Sequence, residues 1–227
     1  MLPATEIEPV GTLYYFGDPM CSWCWGFRPV LEQVEQEYPE LNRVTVMGGL
    51  RRGPDVPMDD ALIELIRDAW RRIAETTGQP FDHTLWKRHR PLSTTLPACR
   101  AVLTARILNP ELEWPFMVAM FKAYFTEARD CTRVETHLEI AQEVGIDPAS
   151  FSETLSTSDV ERALSEDLRL GDSLGIRGYP TLMLKLAGEY HLVSPGYGPI
   201  EHFRRAINAV YESNGIEFTR PESGIYS

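Results

Sequence analysis

Apolar residues fall in two different rhythms along this chain. Gly11 to Phe16 reads Gly-Thr-Leu-Tyr-Tyr-Phe, a short aromatic and β-branched run that predicts a buried strand. Gly17-Asp18-Pro19 breaks it. Phe27, Val30, Leu31 and Val34 then recur at three- and four-residue steps, which predicts a helix beginning near Cys21. Arg43 to Met47 predicts a second strand. From there to Gly175 the spacing stays helical. Leu62, Leu65, Ile66, Ala69 and Ile73 share one predicted face, and Ala98, Ala101, Val102, Ala105 and Leu108 another. Phe116, Met120, Phe121 and Tyr124 form a third, with Pro115 at a first helical position. Leu138, Ala141 and Val144 lead to Gly145, a residue suited to end a helix. Asp147-Pro148 starts a short helix, and Ser158 with Glu161 has capping-box spacing ahead of Leu164, Leu168 and Leu174. The period then returns to strand. Thr181 to Leu186 and Tyr190 to Val193 flank Ala187-Gly188-Glu189, a predicted hairpin with a three-residue loop. Pro199 opens a last helix with Ile200, Phe203, Ile207 and Val210 on one face, and from Asn214 the tail is polar and without period.

Strands occur only at the two ends of this pattern, so they must meet across the helical block to bury their faces. The predicted fold class is therefore α/β: a sheet domain formed by residues 1–55 and 176–227, interrupted by a helical insertion at 56–175. Composition agrees with a globular chain, since hydrophobic content is 43% and charged content 24%. The net charge of −11 argues against nucleic acid and against an anionic membrane surface as partners. Residues Met1 to Glu8 lack the basic and apolar regions of a secretory signal, and no apolar run reaches the roughly 18 residues of a spanning helix. The expected compartment is the cytoplasm.

Four cysteines, Cys21, Cys24, Cys99 and Cys131, are too few for a structural framework in a reducing compartment. Cys21-Ser22-Trp23-Cys24 falls between a strand and a helix. There, free backbone N–H groups and the helix dipole favour a thiolate, the form in which a thiol reacts. Two-residue spacing puts the second sulfur one turn away. The competing reading is a zinc site, which needs four ligands, usually in two close pairs. Cys99, Cys131 and the histidines at 83, 89, 137, 191 and 202 supply no second pair, so no metal and no cofactor are assigned. Gly178-Tyr179-Pro180-Thr181 directly precedes a strand, where it reads either as a plain turn or as a cis-proline loop.

The order strand, Cys-x-x-Cys, helix, helical insertion, Gly-x-Pro-Thr, hairpin and final helix resembles the DsbA family of the thioredoxin superfamily. The run Tyr15-Phe16-Gly17-Asp18-Pro19-Met20-Cys21-Ser22-Trp23-Cys24-Trp25-Gly26 looks closest to its cytoplasmic, FrnE-like branch. The resemblance extends to about Asn214 and implies a thioredoxin-like fold with a large α-helical insertion. It also implies thiol–disulfide exchange, with Cys21 as nucleophile, Cys24 as resolving thiol, and Pro180 as the cis-proline facing them. Pro29 matches the helix-kinking proline of such folds. The implied substrates are disulfide- or thiol-bearing proteins, or glutathione. The chain departs from the family's oxidising members, having no histidine between its cysteines. Kappa-class glutathione transferases and hydroxychromene-carboxylate isomerases share the architecture but usually carry Ser where Cys21 stands. A glutathione-dependent transferase or isomerase is one alternative, and a metal-binding or chaperone-like module another.

Secondary candidates complete the site. Tyr179 and Trp23 are expected to touch substrate, Tyr179 through its backbone and Trp23 as an exposed apolar platform, while Trp25 belongs to the core. Asp18 is either a proton acceptor or a side chain that organises its turn. Cys99 is expected to be a small buried apolar residue, with an auxiliary redox role as the alternative, and Cys131 to be structural or incidental. The acidic groups at Glu32, Glu35 and Glu37 and from Glu161 to Asp167 read as solvated faces. The basic run Lys87-Arg88-His89-Arg90 reads as an anion site or the flank of a solvated helix.

Overall fold

The computed structural model describes residues 11–216, so the expectations for Met1 to Glu8 and for the tail beyond 216 lie outside the described residues. A four-stranded sheet with order β2-β1-β3-β4 sits at the centre. Strand β1 (Gly11–Gly17) pairs in parallel with β2 (Leu41–Met47), from Gly11 opposite Leu41 to Gly17 opposite Met47. On its other side β1 pairs antiparallel with β3 (Thr181–Leu186), which forms a hairpin with β4 (Glu189–Ser194). Helix α1 (Ser22–Glu37) makes the β1-to-β2 crossover.

Between β2 and β3 run α2 (Asp60–Thr77), α3 (Leu85–Arg88), α4 (Leu96–Leu108), a one-turn 3-10 helix at Pro110–Leu112, α5 (Glu113–Thr126), α6 (Val134–Glu143), α7 (Pro148–Leu155) and α8 (Ser158–Ser173). Helix α9 (Ile200–Ser213) closes the described chain. This is a thioredoxin-like fold with a helical insertion.

Alternation along β1 divides the packing. Leu13 and Tyr15 face one side, in a continuous core with α1, α5 and α9. Phe16 faces the other, with Val46, Ile176 and Met183, where Leu170 and Leu174 at the end of α8 close the cluster. The insertion shares the first core. Trp70 of α2 is fully buried against Phe81, Trp86, Tyr124 and Phe125, and Trp25 of α1 stacks on Phe125 with centroids 6.1 Å apart.

Several local expectations change. The hairpin loop has two residues, Ala187 and Gly188, both at positive φ (50° and 88°), the backbone that suits a tight hairpin between twisted strands. Leu65 is 63% exposed, because Ile63, Trp70 and Ile73 turn the buried face of α2 away from it. Pro115 is the third residue of α5, still within the turn whose N–H groups lack helical partners. Thr157, not Ser158, is the N-cap of α8, so the capping box does not form. The acidic groups are not simply solvated. Glu35 pairs with Arg43, Glu37 with Arg204 and Asp167 with Arg106, while Glu161 pairs with Arg100. Pro29 lies inside α1 as expected.

Candidate active site

The site lies at the C-terminal ends of the parallel strands β1 and β2, where the chain turns into α1. Glycine 48 continues the ladder one step past β2, its N–H donating to the Gly17 carbonyl at 2.7 Å. Asp18 then sets the turn. Its Oδ1 accepts from the Met20 N–H at 2.8 Å, and its backbone carbonyl accepts from the Cys21 N–H at 3.0 Å. This side chain–backbone turn delivers Cys21 as the N-cap of α1. Cys24 follows in the first turn.

Both thiols are buried, Cys24 completely and Cys21 to 4% exposure. Cys21 is thus less open than its position at the helix start suggests. The Cys21 thiol lies 3.5 Å from the carbonyl of Tyr179, to which it donates, and the Tyr179–Pro180 bond is cis. Pro180 therefore directly follows the carbonyl that the Cys21 thiol meets. Burial pushes the Cys24 thiol well above its ordinary pKa, and its neighbour Cys21 adds to this by hydrogen bonding and charge. The Tyr15 hydroxyl and the backbone at Asp18 act in the opposite direction.

Tyr179 is anchored by its side chain. Its hydroxyl donates to the Gly48 carbonyl at 2.7 Å, and its ring lies so close to Gly48 that a Cβ there would stand 2.2 Å from it. Arg52 ties the same carbonyl to α8, donating to Gly48 at 3.1 Å and to Asp172 at 2.9 Å. Trp23 is half-buried rather than fully exposed, tilted against Tyr197 with centroids 5.6 Å apart. The two rings, with Gly178, Tyr179, Pro195 and Gly196, line a hollow of about 300 Å³ beside the dithiol. A second hollow of about 400 Å³ shares its Pro195–Tyr197 wall and extends to His202 and Arg205.

The carboxylate of Asp18 is fully buried and turned away into the insertion. Its Oδ2 accepts from the Leu50 N–H at 2.7 Å, the Thr95 hydroxyl at 2.6 Å and the Cys99 thiol at 3.4 Å. Cys99 is fully buried, as is Cys131, whose thiol lies 3.6 Å from the Met120 carbonyl. Among the described residues no three His, Cys, Asp or Glu side chains are grouped to hold a metal ion. None of their helices is long and apolar enough to cross a membrane.

Tyr15, Gly48, Thr95 and Tyr197 were not indicated by the sequence pattern as site residues. Only Tyr15 carried a signal, since period two along β1 places it on the same face as Gly17, at the strand end that leads to Cys21.

A strand-terminal dithiol under a cis-proline loop defines a thioredoxin-type redox site. The DSBA-like thioredoxin domain matches residues 12–208, and the chain belongs to that family. A structure from Nitrosomonas europaea, provisionally assigned as a protein disulfide isomerase, is 29% identical with a TM-score of 0.82 over 90% of this chain and 99% of its own. The cytosolic disulfide reductase DsbM of Pseudomonas aeruginosa, whose structure is also known with glutathione, is 25% identical with a TM-score of 0.74, covering 89% and 99%. The ClpXP adapter protein SpxH of Halalkalibacterium halodurans is 26% identical over 178 residues, 75% of this chain and 57% of that relative. The chain thus spans little more than half the length of the curated relatives it matches. Its matched domain is of the DsbA-like thiol–disulfide oxidoreductase type.

Proposed function

We propose that the protein is a cytoplasmic thiol–disulfide oxidoreductase in which Cys21 exchanges with substrate and Cys24 completes the reaction. The observation that carries the assignment of roles is the asymmetry of the pair. Cys24 is wholly sealed and its thiol is pushed up by burial, while Cys21 caps the helix, keeps 4% exposure and meets the carbonyl of Tyr179, a residue that lines the hollow. The Cys21 thiolate attacks one sulfur of a substrate disulfide, whose S–S bond breaks. The departing sulfur leaves with the bonding pair and takes up a proton. Cys24 then attacks the Cys21 sulfur and expels the second substrate sulfur, so the substrate gains two electrons and the protein holds a Cys21–Cys24 disulfide. Run in reverse, the same steps oxidise a dithiol.

Trp23, Tyr197 and the backbone around Tyr179 and Pro180 form the substrate platform in this reading. Asp18 holds the turn rather than taking a proton, because donors already surround its carboxylate. Disulfide-bearing proteins fit the open hollow, and glutathione is supported as a small thiol partner by the likeness to a reductase determined with it. The cytoplasmic placement rests on the same neighbour. The thioredoxin-like domain is assigned to 1–55 and 176–227, of which 1–10 and 217–227 lie outside the described residues, and the insertion to 56–175.

The test is trapping. Cys24→Ser should accumulate mixed disulfides with oxidised substrates, whereas Cys21→Ser should form none and lose activity. Trapping by Cys21→Ser, or alkylation that labels Cys24 first, would reverse the roles. Fractionation of cells producing the tagged chain tests the compartment, and recovery outside the cytoplasm would refute that part.

A further inference from the structure

We propose that the Tyr15 hydroxyl is the hydrogen-bond donor that supports the Cys24 thiolate during the second exchange. This deepens the reading above and rests on Cys24 being the resolving thiol. Tyr15 is wholly buried in β1. Its ring lies along the strand over Gly17, where a Cβ would stand 2.6 Å from Cζ and 2.7 Å from the hydroxyl oxygen. Phe27 and Trp114 hold the ring, with centroids 6.2 and 5.8 Å away. The phenol thus runs past the end of β1, within the core cluster that it shares with Cys24 and Phe27 of α1.

A buried phenol ordinarily finds a partner. In the dithiol form this hydroxyl has no well-aligned hydrogen bond, although it stands close enough to Cys24 to influence its ionisation. A neutral thiol is a weak acceptor and a thiolate a strong one, so this donor finds its full partner when Cys24 ionises. Tyr15 does not act as a base. Burial foremost, and then Cys24, push its own ionisation well above the ordinary range, so it keeps its proton throughout.

The timing follows from the neighbours of Cys24. In the dithiol form burial raises its pKa most, and hydrogen bonding and charge from Cys21 raise it further. Once Cys21 is tied to substrate, it carries no charge and no longer accepts the Cys24 proton as a thiolate would, so both of those effects are lifted. Burial remains, opposed by the Asp18 backbone and the Tyr15 side chain. Cys24 then attacks the Cys21 sulfur, the Cys21–substrate bond breaks, and the Cys24 proton ends on the departing substrate thiol. In the reverse direction the same hydroxyl steadies Cys24 as the leaving thiolate.

Tyr15→Phe deletes only this unpartnered oxygen. Reduced protein is mixed with oxidised glutathione and quenched in acid, and the Cys21–glutathione adduct is followed by mass across a range of pH. Formation of the adduct should match wild type. Its decay should slow about threefold at neutral pH: a pKa raised by about one unit lowers the thiolate fraction about tenfold, and the greater nucleophilicity of the more basic sulfur returns about a factor of three. The midpoint of the decay profile should move up by about one unit. In a Cys21→Ser background, thiolate absorbance should show the Cys24 pKa rising when Tyr15→Phe is added. Gly17→Ala, whose methyl must push the ring aside, should shift decay the same way. An unchanged decay profile in Tyr15→Phe, or slowing with no upward move of its midpoint when the profile is carried to alkaline pH, overturns the proposal. Failure of the underlying reading looks different, because wild type would then form no adduct on Cys21.

Discussion

Donors converge on the Asp18 carboxylate from three segments: Met20 on one oxygen, and Leu50, Thr95 and the Cys99 thiol on the other. A fully buried carboxylate persists only when its oxygens are satisfied in this way. Asp18→Asn must place an NH2 against a donor, most cheaply against the Met20 N–H. That change should cost about 2 kcal/mol, the scale of a hydrogen bond to a charged group, and an unshifted urea midpoint would contradict it. Cys99 and Cys131 are expected to stand apart from the chemistry. Burial holds both thiols in the neutral form, Cys99 with help from the Asp18 charge and Cys131 from that of Asp130. The double variant Cys99→Ala with Cys131→Ala should reduce a small disulfide at the wild-type rate. Loss of turnover in a folded double variant would give one of them a redox role.

At the scale of elements, the end of β2 and the start of β3 are joined by one aromatic side chain. Tyr179 lies over Gly48 because glycine leaves the space its ring occupies, and its hydroxyl closes on the Gly48 carbonyl. Gly48→Ala should force the ring out, at an overpacking cost of about 1–3 kcal/mol. The Tyr179 carbonyl beside Cys21 should move with it. Disulfide turnover should therefore fall more than stability does, and a variant with wild-type turnover would show that the loop holds its place without this seat. Such seats explain what could be read from sequence. Strand and helix order was legible because Leu13, Tyr15, Phe27 and Leu31 carry periods local to their own segments. The dithiol was legible because Cys21 and Cys24 fall together at a strand-to-helix junction. Gly48 and Thr95 were not, since they meet Tyr179 and Asp18 across 131 and 77 residues. The hairpin length was missed because Ala187 adopts a positive φ that a non-glycine residue seldom takes. Leu65 was placed on the buried face because residue counts do not show that Trp70 outweighs it in orienting α2.

Across the whole molecule, Arg106 connects the insertion to the sheet. From α4 it donates to Glu113 at 2.5 Å, to the Thr45 carbonyl of β2 at 2.6 Å and to Asp167 of α8 at 3.2 Å, while Asp167 also accepts the Met47 N–H at 2.8 Å. This network therefore fixes the end of β2 just before Gly48. Burial raises the pKa of both Asp167 and Glu113, and Arg106 partly offsets that rise. Arg106→Met keeps much of the side-chain bulk but leaves two mostly buried carboxylates unpaired, which should cost about 3–5 kcal/mol at neutral pH. The sign of its pH dependence follows from linkage. A carboxyl whose folded pKa lies above its unfolded value binds more protons folded than unfolded, so its contribution to stability falls as pH rises through that interval. Without Arg106 the folded values rise further, and the interval widens upward. The stability gap between wild type and variant should accordingly be largest at neutral pH and shrink as both carboxyls become protonated, toward about pH 4. Urea midpoints measured down this range decide the matter. A gap that stays constant with pH would mean that the variant suffers from lost packing alone, and that the two carboxylates find other partners once Arg106 is gone.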